Sequence, residues 1–297
     1  MSRLAPFELH RVHSVAEAGR LIDELGDEAV IYSGGTELLL LMKLGFARFE
    51  HLVDIKPIDE LGRLEVRDDG WLVIGSTVTH RRLERAPLLV EHWPDLVEME
   101  QRVANVRVRS TGTLGGNLAF ADPHSDPATF LLAAGAMVTL GRGEAQRSMP
   151  LDDFVLGPYE TALGPGELLC SIEIPPMAAG EGVSHLRFAF KERPAATVSA
   201  WVQVREGSVH DARLAVGSVG ERPVLVPGTA DACRGQDASA LSDDAVAALG
   251  NEAVEAAQPV GDGNGAADYK AALVRTLASR ALREAAARAA SRMEPSA

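Results

Sequence analysis

Two Gly-Gly stretches about eighty residues apart constrain this chain more than any other feature: Ile31-Tyr32-Ser33-Gly34-Gly35-Thr36-Glu37-Leu38 and Ser110-Thr111-Gly112-Thr113-Leu114-Gly115-Gly116-Asn117. Each pair is flanked by small hydroxyl residues and is reached from an apolar or β-favouring run. Glycine has no Cβ, so it takes φ > 0 at little cost and lets backbone N–H groups converge on an anion. Either stretch alone also reads as a tight turn joining a strand to a helix. The pair points to a ligand with two phosphates, or a long polar body gripped from both sides. Neither stretch has the GxGxxG or GxxxxGK(S/T) pattern. The residues therefore predict a dinucleotide cofactor held in some other way.

A chain of 297 residues has material for two domains or one large one. It carries 42 acidic against 29 basic residues, a net charge of −13, which argues against a nucleic-acid partner. One local basic run, Arg102 to Arg109, lies just upstream of the second glycine stretch. The two cysteines, Cys170 and Cys233, supply neither a disulfide framework nor an iron–sulfur site, and each reads as a small buried hydrophobe. The segment from Met1 to His10 lacks the apolar region of a signal peptide, and no apolar run is long enough for a transmembrane helix. A cytoplasmic location is expected.

Periodicity predicts a helix over 14–25, with Ser14 as its cap and Glu17 three residues on, ending at Gly26. A strand at 29–32, a helix at 37–43 and a strand at 51–55 complete a small βαβ-like unit around the first glycine stretch. The Asp68-Asp69-Gly70 turn predicts a hairpin between 64–67 and 71–75. Helices are expected over 79–89, interrupted at Pro87, over 96–103, and over 127–134 with Asp126 as cap. Strands follow at 136–140 and 168–174. Beyond a Pro- and Gly-rich boundary at 175–182, strands at 184–191, 196–204 and 212–218 precede alanine-rich helices at 241–257 and 269–292. The class is α+β.

Asp122, His124 and Asp126 share the proline-flanked loop 121–127 and raise the question of a metal. Alternating Asp and His on one loop do not make a settled coordination shell, so no metal site is assigned. Asp126 stays open between helix cap and ligand contact. His10, His13, His51, His80, His92, His185 and His210 are scattered and fall in no nucleophile or zinc motif. No catalytic residue is assigned, and the chain reads as the holder of a cofactor that brings its own chemistry. Lys191 reads either as a solvated strand end or as a cation near a phosphate or flavin.

These residues resemble a known family. Ser33-Gly34-Gly35-Thr36-Glu37-Leu38, followed by Met42-Lys43 and Leu52-Val53-Asp54-Ile55, is similar to the first FAD-binding loop of the flavoprotein (medium) subunit of molybdenum hydroxylases. That family includes aerobic carbon monoxide dehydrogenases and the FAD domain of xanthine dehydrogenases. Gly112 to Ala119, with Ala121-Asp122-Pro123 and Ser125-Asp126, resembles its second loop. Gly166 to Leu169 and Ile172 to Pro175 resemble the strand closing its FAD domain, and Ala212 to Gly217 with Arg222-Pro223 resembles its C-terminal domain.

The resemblance implies an α+β, two-lobed FAD-binding domain of the vanillyl-alcohol-oxidase/PCMH type over 1–177, with lobes of about 1–56 and 57–177. A C-terminal α+β flavoprotein domain of the carbon monoxide dehydrogenase type would occupy 178–297. FAD would lie between the lobes, lined by Tyr32, Ser33, Gly34, Gly35, Thr36, Glu37 and Leu38 and by Thr113, Leu114, Gly115, Gly116 and Asn117. Asp126 would touch its polar chain, and Leu169 and Lys191 would lie toward its adenine or flavin end. The implied partners are a small subunit with [2Fe-2S] clusters and a large subunit with a molybdopterin cofactor, assembled as a dimer of heterotrimers. Electrons would run from molybdenum through the clusters and FAD to an external acceptor: a quinone, NAD, oxygen or a redox protein. Membrane association through such a complex stays open. Where the family often sets an aromatic residue against the flavin, this chain has Val103, which implies a more open flavin face. A self-contained flavin-dependent oxidoreductase of the same fold, or a flavin-free scaffold, are the alternatives. The first would need a covalent flavin anchor or an acid/base pair that these residues do not define.

Overall fold

Three β-sheets of three or more strands, and one two-stranded pair, follow one another along the chain in a computed structural model that describes residues 4–190 and 192–293. The first is built from β1 (Glu8–Arg11), β2 (Ala29–Tyr32) and β3 (His51–Asp54), all parallel, in the order β1-β3-β2. Parallel strands need crossovers, and helices α1 (Val15–Leu25) and α2 (Leu38–Leu44) supply them. Ser14 caps α1 by accepting from the Glu17 amide at 3.1 Å, and Glu17 returns its carboxylate to the His13 amide at 2.8 Å. Val15 and Ala18 of α1 join Val53 and Ile55 in one buried cluster, which fixes the sheet face that α1 covers. The glycine stretch leaves the carboxyl end of β2, where ligand crevices of parallel sheets form.

The second sheet, β4-β5-β10-β6-β7, is antiparallel: β4 (Leu64–Val66), β5 (Leu72–Gly75), β6 (Met137–Arg142), β7 (Ala145–Pro150) and β10 (Leu168–Ile174). The hairpin at 68–70 forms as expected, with the Arg67 amide bonded to the Trp71 carbonyl at 2.9 Å. Between β5 and β6 run six helices: α3 (His80–Leu83), α4 (Pro87–His92), α5 (Pro94–Arg102), α6 (Val106–Thr111), α7 (Leu114–Phe120) and α8 (Asp126–Ala134). One sequence expectation is corrected here. The helix expected over 79–89 stops at Leu83, and Pro87 instead opens α4 from its first turn, where its missing N–H costs nothing. The basic run divides between the end of α5 at Arg102 and the start of α6, which Asn105 caps by accepting from the amides of Arg107 and Val108. Helix α9 (Leu151–Phe154) and the short pair β8 (Val155–Gly157) and β9 (Glu160–Thr161) complete this part.

The third sheet orders β11 (Glu181–Phe188), β12 (Ala196–Arg205), β13 (Ser208–Gly217) and β14 (Val224–Leu225) antiparallel. Three helices follow: α10 (Thr229–Cys233), α11 (Asp243–Ala257) and α12 (Ala267–Ser291). Helix α12 packs on β11 and β12 through Ala278, Ala281, Ala285 and Ala289, all fully buried. Small side chains let the helix approach closely: a Cβ on Gly182 of β11 would lie 2.6 Å from the Ala285 carbonyl oxygen. Both cysteines are buried, and burial pushes each thiol up to about 11.

Candidate cofactor site

The two glycine stretches meet. Ser33 Oγ and Thr113 Oγ1 are 3.1 Å apart, although eighty residues separate them. Gly34 lies against the backbone of the second stretch, so a Cβ there would sit 2.7 Å from Gly112 Cα and would also strike the Thr111 carbonyl. Gly35 holds φ +70° directly against the Tyr32 ring. Thr36 Oγ1 lies beside Gly112, and Leu38 opens α2. Lys56 braces the loop from below: its Nζ reaches Asp54 Oδ1 at 2.6 Å and the Ser33 carbonyl at 3.2 Å, and lies 3.8 Å from the Tyr32 ring centre.

Among the described residues, no protein oxygen accepts from the amides of Gly34, Gly35, Thr36 or Glu37. That is the arrangement an anion-binding nest requires, and it is the observation that fits this loop to a cofactor pyrophosphate. The second stretch differs from the sequence expectation. It is a Thr113-capped helix, α7, and its amides are already engaged: Leu114 to the Val78 carbonyl, Gly115 to the Ser76 carbonyl, Gly116 to Thr113 Oγ1 and Asn117 to the Thr113 carbonyl. Gly115 is required by packing, since a Cβ there would lie 2.6 Å from Ser76 Cα. What α7 offers a ligand is the half-buried face at Gly116 and Asn117. Asn117 Oδ1 accepts from Ser125 Oγ at 2.6 Å, which leaves its amide nitrogen for an outside acceptor.

The loop 121–127 supplies the next layer, through Asp122. Asp122 pairs with Arg193 at 3.1 Å, and Arg193 also pairs with Glu37 of the first stretch at 3.3 Å. His124 stands between Asp122, at 3.5 Å, and Asp262, at 2.9 Å; Asp262 in turn takes the buried Lys270 ammonium at 2.7 Å. A line of alternating charge thus runs from α12 to the first glycine stretch. The Asp122 carboxylate beside it raises the His124 imidazole above its ordinary value, against the opposing effect of burial, with Asp262 adding to the rise. Burial works to raise Asp262, but the Lys270 ammonium, the Asn264 amide and His124 outweigh it and hold the carboxyl at about 2. Tyr159 lies at the same margin, its ring edge-on to Phe120 at 5.2 Å.

The other expected residues fall elsewhere. Asp126 is not a cap: Ser125 holds that position and Asp126 is the first residue of α8. Its carboxylate is buried and taken by His185 Nε2 and Arg187, each at 3.3 Å. Leu169 is buried in β10 within the core of the second sheet, and Val103 is buried in the same core. Lys191 lies outside the described residues. The scattered histidines also find partners: His80 binds Glu100 at 2.7 Å beneath Gly112, and His10 meets His51 at 3.0 Å beside Glu8. Arg193 had no signal in the sequence because its partners are distant in the chain, and Lys56, two residues from Asp54, reaches Ser33 and Tyr32 only through the pairing of β2 with β3.

A family model described as the FAD binding domain in molybdopterin dehydrogenase matches residues 5–177, and one described as the CO dehydrogenase flavoprotein C-terminal domain matches 191–285. The carbon monoxide dehydrogenase medium chain of Hydrogenophaga pseudoflava is 34% identical over 287 residues, covering 96% of this chain and 98% of that one. A solved carbon monoxide dehydrogenase from the same organism superposes with a TM-score of 0.91 at 32% identity, covering 96% of this chain and 99% of its own. Quinoline 2-oxidoreductase from Pseudomonas putida 86 superposes at 0.89 with 27% identity, covering 97% and 99%. The chain belongs to the FAD-binding medium subunits of the molybdenum hydroxylase family, an oxidoreductase family.

Proposed function

We propose that this chain is the electron-transfer subunit of a heteromeric molybdenum hydroxylase, placed between an iron–sulfur small subunit and an external electron acceptor. The amides of Gly34 to Glu37, which no described protein oxygen accepts from, carry the reading, because they form an anion cradle at the carboxyl end of a parallel strand. Bound FAD supplies one- and two-electron redox chemistry. The chain's own residues bind and orient it. The first stretch donates backbone hydrogen bonds to the pyrophosphate. Gly116 and Asn117 give it a close face and one side-chain donor. Arg193 closes the margin and balances Glu37 and Asp122. The FAD-binding unit is 1–177 and the unit carrying Lys270 and Asp262 is 178–297. The molybdopterin large subunit completes a heterotrimer that pairs into a dimer.

The test is purification of the tagged full chain from its own cells, with acid release of flavin and analysis for iron, sulfide and molybdenum. FAD at one per chain, with iron, sulfide and molybdenum co-eluting on two further polypeptides, is the expected result. A chain that elutes alone with FAD and oxidises a substrate unaided overturns the proposal in favour of a self-contained flavin oxidoreductase.

A further inference from the structure

We propose that Glu8, His10 and His51 form a binding site for a divalent transition-metal cation, zinc in the first instance, on the first sheet. One ligand atom from each residue lies within 4.8 Å of the other two. His10 Nε2 and His51 Nδ1 are 3.0 Å apart, and the Glu8 carboxylate lies 3.8 Å from His51 Nδ1 and 3.9 Å from the other ring nitrogen of His10, Nδ1. Four-coordinate zinc with bonds of about 2.0–2.1 Å holds its donors roughly 3.3 Å apart, so the imidazoles already stand near the required separation. The carboxylate, on a side chain 67% exposed, has the freedom to close the remaining distance.

The set follows from strand geometry. Residues 8 and 10 share a face of β1 by the period of two, and the parallel register sets His51 of β3 opposite Glu8. Two imidazoles and one carboxylate are a ligand set that zinc accepts, with a fourth position left for water. Both histidines are about one-fifth exposed, so the site is reachable but not freely solvated. A bound cation would clip the edge strand β1 to β3. His51 opens β3, whereas Asp54 closes it beside Lys56 and the first glycine stretch. Metal and flavin therefore occupy opposite ends of the parallel strands, and their occupancies are separable.

The probe is zinc alone, titrated by calorimetry into the FAD-loaded full chain after treatment with a chelator. One equivalent per chain is expected, with affinity at least about tenfold weaker in His10→Gln, His51→Gln and Glu8→Gln. Flavin content should stay unchanged in all three, and His13→Gln should bind as the parent does. Glu8 is a surface side chain, so its variant reports even if a histidine variant fails to fold. No zinc uptake, or uptake equal in the parent and the variants, overturns the proposal.

Discussion

At the scale of single residues, the site separates glycines that face a ligand from those that serve packing. Gly35 is held at φ +70°, a conformation that costs a residue with a Cβ roughly 1–2 kcal/mol. A side chain there would also displace Tyr32 and with it the Lys56 brace. Gly35→Ala should therefore weaken flavin retention by about tenfold or more, read as FAD remaining after gel filtration. Gly115→Ala should instead lower stability, because its Cβ enters Ser76 on the side away from the ligand face. His124 adds a pH dependence. Its folded pKa is raised, so its contribution is complete below about pH 6.5 and is lost as pH climbs through the raised value. The difference in Tm between the parent and His124→Gln should be larger near about pH 6 than near about pH 9.

Among elements, α7 shows what a pattern of residue types conveys and what it omits. Gly-Thr-Leu-Gly-Gly-Asn marked the right place, yet it read as a loop because glycines disfavour helix interiors. The structure makes it a helix through two contacts with no local signature: the Thr113 cap, and the fit of Gly115 to Ser76. Thr113 also meets Ser33, so one hydroxyl joins the lobes and starts the helix. Thr113→Val should cost about 1 kcal/mol for the cap and about 1 kcal/mol more for the lost Ser33 bond, measured by urea denaturation. A double-mutant cycle with Ser33→Ala should recover the second part as coupling. The legible elements were those with local cues: α1 with its Ser14 box, the hairpin at 68–70, and the apolar strand runs of the third sheet after the Pro- and Gly-rich boundary. The illegible ones depended on distance. Arg193 bridges Glu37 and Asp122 across the chain, α6 depends on its Asn105 cap rather than on propensity, and His10 finds His51 only through strand register.

For the whole molecule, the question is what holds the third sheet and its helices against the parts that build the cofactor site. One tie is the charge line from Lys270 to Glu37. The other is Asp95 of α5, whose carboxylate is almost fully buried at the junction with β11 and α12. It accepts from the Val183 amide at 3.0 Å, from Arg288 at 2.9 Å, and from both terminal nitrogens of Arg292 at 2.6 and 2.8 Å. Arg288 also donates to the Val183 carbonyl, so one strand residue is held from both its backbone groups. Replacing Asp95 with Ala would leave two guanidinium groups facing a buried gap and the Val183 amide without its acceptor. Breaking a buried pair by removing one partner typically costs about 3–5 kcal/mol. The loss should fall on the junction itself, which the apolar core of the second part also crosses at Val183, Trp201 and Ala215, while the cluster beneath α12 is separate. Thermal unfolding of Asp95→Ala should then resolve into two transitions, the first releasing the third sheet with α11 and α12, the second accompanying loss of FAD. A single transition at the parent's temperature would show that the apolar contacts of α8 with β12 and β13 hold the two parts together without the ion pair.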